Sequence, residues 1–279
     1  MKKFWFLKAV TFLFGAAFFV ASIAFPANGY AAGGYSVGGV ANAGSITVSA
    51  AISLKNAFEE MAKVFVAQNR GARIFFNFGA SGDLAMQIEQ GAPVDVFASA
   101  AEKEMNEIEK KGLIEPGSRA DFAGNTMVLI VPAGNPSAAQ VKNFSDLARP
   151  QAARIAMGNP ATVPAGRYAE AVLRYYKLLP AISGKLIYGQ HVREVLAYVA
   201  RKEVDAGIVY STDAATIPDQ VRVAAVAPPA SHKPVLYPIA AVKGSSSPDK
   251  KLALAFISLI RSARGRAILE EFGFRAVLK

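Results

Sequence analysis

Short apolar runs and longer amphipathic runs alternate along most of this chain. Residues 46–50 form a compact apolar run that reads as a strand. Leu54, Phe58, Met61, Ala62 and Phe65 then recur at helical spacing and predict a helix over 54–69. The same alternation continues with a strand at 73–78, a helix at 82–90 closed by Gly91, a strand at 94–99 and a charged helix at 102–111 closed by Gly112. Repeated strand–helix units predict a parallel sheet flanked by helices.

A longer apolar strand at 126–132 interrupts the pattern, which then restarts. A helical turn at 144–147, a strand at 154–157, a helix at 166–176, a short strand at 186–188 and a helix at 192–202 follow. Strands at 206–210, 221–225 and 235–242 and helices at 249–262 and 265–272 complete the chain. Two blocks joined by two long strands predict two lobes, each a mainly parallel sheet flanked by helices. Residues 45–126 with 237–279 are expected to build the first lobe and 127–236 the second. In open α/β sheets ligands bind beyond the carboxyl ends of strands, so the cleft between the lobes is the expected site.

The first residues stand outside this pattern. Lys2, Lys3 and Lys8 precede an uncharged run over 9–25, broken by Pro26, Asn28 and Gly29. Residues 1–31 read as a secretory signal peptide, with cleavage after Ala31 or, as a second option, Ala43. An uncleaved anchor is the alternative, although the run is 17 residues and a spanning helix usually needs about 20. Residues 32–44 are Gly/Ala-rich and are expected to be a flexible lead-in. The chain contains no cysteine, which excludes a disulfide framework, a thiol nucleophile and a lipidated cysteine. A cysteine-free exported chain with 52% hydrophobic residues can bury a core of its own, and a periplasm is the expected location. The net charge of +10 falls to +7 when the three leader lysines are removed. The basic residues are scattered, which argues against nucleic acid as a partner and for a solvated surface. A monomer is expected.

Two serines stand where an apolar strand turns into a helix: Ser53 after 46–50 and Ser81 after 73–78. The ordinary role of each is a helix N-cap. As a pair, 28 residues apart on neighbouring units, they offer hydroxyls and free N–H groups to one anion. Val163-Pro164-Ala165-Gly166 leaves the N–H of Ala165 or Gly166 to point outward at another helix start, and Val192 opens a further one. Tyr210 ends a strand, where its phenol can donate into a cleft or simply pack. Asp83, in a first helical turn, is the ordinary partner of a helix dipole, yet facing the cleft it would accept a proton from hydrogen phosphate. His191 invites a metal or acid–base reading, but no carboxylate cluster accompanies it. Tyr175 and Tyr176 resemble an iron-binding pair and sit in a helix pattern that favours packing. There is no Ser-His-Asp order with a supporting elbow, no phosphate-binding Walker loop and no metal motif.

With these residues in place, the chain resembles the periplasmic molybdate-binding proteins, the solute receptors of molybdate ABC importers. The matching stretches are Ala50-Ala-Ile-Ser53-Leu, Phe78-Gly-Ala-Ser81-Gly-Asp-Leu, Gly91-Ala-Pro-Val-Asp-Val-Phe-Ala-Ser99, Val163-Pro-Ala-Gly166, Val192-Arg193, Gly207-Ile-Val-Tyr210-Ser-Thr-Asp213 and Tyr237-Pro-Ile. The resemblance covers about 46–274 and implies a class II periplasmic binding fold that closes on its ligand. It implies as ligands the hydroxyls of Ser53, Ser81 and Tyr210 and the backbone N–H groups of Ala165 and Val192. His191 departs from the small polar or acidic residue expected there. The implied cargo is molybdate and also tungstate, with an ABC permease as partner, no resident cofactor and no catalysis. Receptors for sulfate, phosphate or ferric iron, an oxyanion sensor without transport, and an exported enzyme using Asp83 or His191 are the alternatives. Molybdate carries no proton at neutral pH, so a site of donors alone suits it and disfavours hydrogen phosphate.

Overall fold

The computed structural model describes residues 34–35, 44–136, 140–244 and 247–277. The expected signal peptide, 1–31, lies outside them. The strands are β1 (Gly34–Tyr35), β2 (Ser45–Ala51), β3 (Arg73–Gly79), β4 (Val96–Ala98), β5 (Ala120–Asn125), β6 (Met127–Pro132), β7 (Ile155–Gly158), β8 (Leu186–Gly189), β9 (Ala206–Tyr210), β10 (Val221–Val226), β11 (Val235–Ala241) and β12 (Arg275–Ala276). They form two sheets: seven strands in the order β1-β3-β2-β4-β11-β5-β12, and five in the order β10-β6-β9-β7-β8. The chain leaves the first sheet between Asn125 and Met127 and re-enters it at β11.

The two-lobed α/β architecture agrees with the sequence pattern, but the sheets are mixed rather than mainly parallel. Parallel pairing is confined to β3-β2-β4 in the first sheet and β9-β7-β8 in the second. The crossing strands account for much of the difference. β11 returns antiparallel between β4 and β5, and β6 runs antiparallel to both β9 and β10. Antiparallel neighbours need no helical crossover, so the strand–helix rhythm does not report them. Within the expected lead-in, Gly34 and Tyr35 pair antiparallel with β3.

The helix Lys55–Gln68 buries Phe58, Met61, Ala62 and Phe65, the stripe its spacing predicts. Phe58 meets Phe256 of the helix Ser247–Arg261 edge-on, with ring centroids 5.7 Å apart, and also packs on Phe76 and Phe122. Burying each such ring contributes about 1.5–3 kcal/mol, so this aromatic cluster joins helices to sheet strongly. In the second sheet, Val195 and Val199 of the helix Val192–Ala200 are fully buried. Among the described residues no helix is long and apolar enough to cross a membrane.

Candidate anion-binding site

The six parallel strands, three from each sheet, all end at one cavity. β2 runs into Ser53, β3 into Ser81 and β4 into Ala100, while β7 leads to Val163–Ala165, β8 to His191–Val192, and β9 ends on Tyr210. The cavity is tight, with a volume of about 10 Å³, and is lined by Ala51, Ile52, Ser53, Gly79, Ala80, Ser81, Ala100, Val163, Pro164, Ala165, His191, Val192 and Tyr210. All five residues expected as ligands are therefore brought together. Among the described residues no lysine, arginine or carboxylate lines the cavity.

Neither serine acts as an N-cap. Ser53 lies in the middle of a 3-10 turn, Ile52–Leu54, and Ser81 is the first residue of the helix Ser81–Glu89. Ala51 and Ala80 hold the cap positions, and neither makes a side-chain cap bond. Instead, Ser53 Oγ is 3.1 Å from Tyr237 Oη, and the Ala100 N–H donates to Ser81 Oγ at 3.0 Å. Both hydroxyls are buried and tied to the frame.

On the opposite wall, the helix Pro164–Tyr175 starts with proline, which has no N–H to leave unpaired, and Ala165 follows. Its start is pressed against the end of β7: a Cβ on Gly166 would lie 2.1 Å from the Gly158 carbonyl oxygen. Only glycine permits that approach. Val192 is the first residue of its own helix, and first-turn N–H groups have no acceptor within the helix. Both helix starts also carry partial positive charge toward the cavity. The Tyr210 hydroxyl, fully buried, donates a long 3.4 Å bond to the Ala100 carbonyl. Burial raises its pKa well above the ordinary value, so it stays a protonated donor.

His191 faces the cavity, and its Nδ1 accepts from the Glu194 N–H at 3.0 Å, capping the helix Val192–Ala200. The imidazole thus fills the role of the small polar residue expected there. Burial lowers its pKa, with Glu194 pulling the other way. Asp83 lines a separate hollow with Asn159, Thr162, Tyr188, Gly189 and Gln190. Burial raises the pKa of its carboxyl, and His191 offsets part of that. Tyr176 stacks on Phe144 at 5.4 Å, whereas Tyr175 is 51% exposed rather than core; neither lines the cavity.

Bonds across the cleft hold the two sheets together. The Gly82 N–H donates to the Thr162 carbonyl at 3.0 Å, and Arg193 donates to Asn56 Oδ1 at 3.0 Å while pairing with Asp213. Arg167 pairs with Glu104, whose side chain is 2% exposed. The described conformation is closed.

A family model for bacterial extracellular solute-binding proteins matches residues 46–275. The chain is 37% identical to the molybdate-binding protein ModA of Haemophilus influenzae, over 85% of this chain and 92% of that one. The chain belongs to the ModA family of extracellular solute-binding proteins. The ModA of Escherichia coli is 36% identical over 84% of this chain and 90% of its own. The solved periplasmic molybdate-binding protein of Azotobacter vinelandii superposes with a TM-score of 0.72 at 25% identity, covering 84% of this chain and 99% of that one.

This ModA-family chain holds two further residues behind the cavity wall that sequence reasoning does not single out. Asn125, at the end of β5, donates to Tyr237 Oη at 3.1 Å and to Thr212 Oγ1 at 2.8 Å. Tyr237 stands out in the sequence only within a family-like stretch, and Asn125 not at all. An asparagine among Phe122, Ala123, Gly124 and Thr126 is the signal that could have found it.

Proposed function

We propose that this protein is an extracytoplasmic receptor that binds molybdate, and tungstate with it, and delivers the anion to the permease of an ABC importer. The observation that carries the reading is the convergence of five residues with uncharged donors, from five strand ends, on one small cavity with no charged side chain among the described residues that line it. The ligands would be the Ser53, Ser81 and Tyr210 hydroxyls and the Ala165 and Val192 N–H groups. A fully deprotonated tetrahedral dianion accepts from all five and asks for no acceptor in return. The names and the identity of the relatives support the same cargo.

The anion is held whole by hydrogen-bond donors, so this reading asks for no resident cofactor. The mature chain works as a periplasmic monomer after removal of its signal peptide. The phosphate alternative needs an acceptor at the ligand, and Asp83 is not in the lining. The iron alternative needs Tyr175 and Tyr176 there, and they are elsewhere.

Titration calorimetry on the purified mature chain tests the proposal. Molybdate and tungstate are expected to bind at micromolar concentration or tighter, with no heat from sulfate or phosphate. Tight sulfate or phosphate binding without molybdate binding would overturn it.

A further inference from the structure

Behind Ser53 lies a buried polar network whose hydrogen-bond directions can be worked out. Asn125 Oδ1 accepts from the Thr126 N–H at 2.8 Å and from the Ser211 hydroxyl at 3.1 Å. A backbone N–H can only donate, so the oxygen end of the amide is fixed there. The nitrogen end then gives one proton to Thr212 Oγ1 and the other to Tyr237 Oη. All the bonding capacity of this buried amide is used.

Tyr237 Oη therefore accepts from Asn125, and its own proton needs an acceptor. The residue is fully buried, and Ser53 Oγ lies 3.1 Å away. If Ser53 donated instead, the phenol proton would be left unpaired inside the protein, the costlier arrangement. Tyr237 thus donates to Ser53, and the Ser53 proton is turned toward the cavity. Ser81 is engaged from behind in the same way, because one lone pair of its Oγ already accepts the Ala100 N–H.

We infer that the chain Asn125→Tyr237→Ser53, with the Ala100 N–H on Ser81, takes up one acceptor lone pair of each serine hydroxyl from behind, biases both hydroxyls toward donation and so favours a proton-free oxyanion over one that carries a proton. Asn125 and Tyr237 are positioning residues in this scheme. The inference rests on the anion site proposed above. Hydrogen phosphate presents a P–O–H that must donate, and it meets hydroxyl protons already aimed at it. Burial keeps the Tyr237 phenol protonated by raising its pKa far above the ordinary value.

The experiment compares wild type, Tyr237→Phe, Ser53→Ala and the double variant by calorimetry with molybdate and with inorganic phosphate at pH 8. Phenylalanine preserves the ring that packs on Phe122, Tyr210 and Phe274. Tyr237→Phe is expected to weaken molybdate binding roughly tenfold. Phosphate binding is expected to hold or strengthen, because the freed hydroxyl can now turn and accept. In the Ser53→Ala background the same substitution should change molybdate binding little. Equal losses in both backgrounds, or an unchanged molybdate-to-phosphate ratio, would overturn the inference. A wild type that binds neither molybdate nor tungstate would instead sink the anion reading. A neutron structure of the wild-type protein tests the hydrogen-bond directions with neither variant nor ligand. Deuterium on Tyr237 Oη directed at Ser53 supports the relay, and deuterium on Ser53 Oγ directed at Tyr237 refutes it.

Discussion

The two lobes meet the same cavity with different chemistry. The first contributes side chains, Ser53 and Ser81, each held by a partner behind it. The second brings the starts of the helices Pro164–Tyr175 and Val192–Ala200, whose backbone N–H groups are the proposed donors, together with the Tyr210 phenol. A side-chain donor is encoded by one residue and lost with it. A main-chain donor is encoded by the packing that aims a helix, and it survives most changes of the residue that carries it. The first lobe's half of the site is therefore fragile to point substitution. The second lobe's half is fragile to anything that keeps the cleft from closing.

The largest effect should come from blocking closure without touching a donor. A Cβ on Gly82 would lie 2.6 Å from the Thr162 carbonyl oxygen, across the cleft. Overpacking of about 3 kcal/mol lowers the closed population, and with it the apparent affinity, roughly a hundredfold. Alanine suits a helix better than glycine, so Gly82→Ala should leave the melting temperature of the ligand-free protein at least as high. Calorimetry and X-ray scattering check this together: an open envelope that persists with anion is expected, and wild-type affinity would show that the cleft closes differently.

Removing a first-lobe donor comes next. At the proposed site, Ser53→Ala or Ser81→Ala would each delete a hydrogen bond to a charged ligand, about 1.5–3 kcal/mol, so a loss of roughly 10- to 150-fold is expected. Val192→Thr, which keeps the N–H, should cost far less. If the second-lobe substitution hurt as much as the serine ones, the contrast between side-chain and backbone donors would fail.

A smaller change is expected from the ion pair that spans the lobes. Arg167→Leu leaves the nearly buried Glu104 carboxylate without its partner in the closed form. Full burial of both groups would make that loss several kcal/mol, but Arg167 is 23% exposed, so about 1 kcal/mol and roughly a fivefold weaker affinity is the expectation. Adding Glu104→Gln should restore part of it, since burial already raises the pKa of this carboxyl. A double-mutant cycle without coupling would remove the pair from the closing mechanism.

The serine half of the site was legible in the sequence because hydroxyls at strand–helix junctions are visible as residues. The backbone half was legible only as helix starts, at Val163-Pro164-Ala165-Gly166 and at Val192; which N–H groups serve as ligands, Ala165 rather than Gly166 for one, came through resemblance. Strand β9 is found at 206–210, as its apolar run predicts. Strand β5 is absent from the sequence pattern, because Ala-Asp-Phe-Ala-Gly-Asn has little strand propensity and is held in place by its register with β11 and β12. That gap hid Asn125 and so the support behind Ser53. The N-cap role expected of the serines failed for a physical reason as well. Their hydroxyls are engaged by Tyr237 and Ala100, and the cap positions pass to alanines that make no side-chain bond.

His191 sharpens the comparison at its smallest scale, because it and Tyr210 are the titratable side chains in the lining. Burial holds its pKa below the ordinary value of 6.5, despite Glu194 and, more weakly, Asp83; Arg193 adds to the depression. The folded chain thus binds fewer protons than the unfolded chain as pH falls below about 6.5, and stability must decline through that window. Protonation would also strip Nδ1 of the lone pair that accepts the Glu194 N–H, uncapping the helix whose first residue, Val192, lines the cavity. Asparagine is among the best N-caps and does not titrate. His191→Asn should therefore keep the ligand-free melting temperature near wild type at pH 7.5 and flatten its fall between pH 7 and 5. Thermal melts across that range decide it. An unchanged slope would mean that the imidazole is not the group whose protonation loosens the second-lobe wall, and the backbone donors there would owe their placement to packing alone.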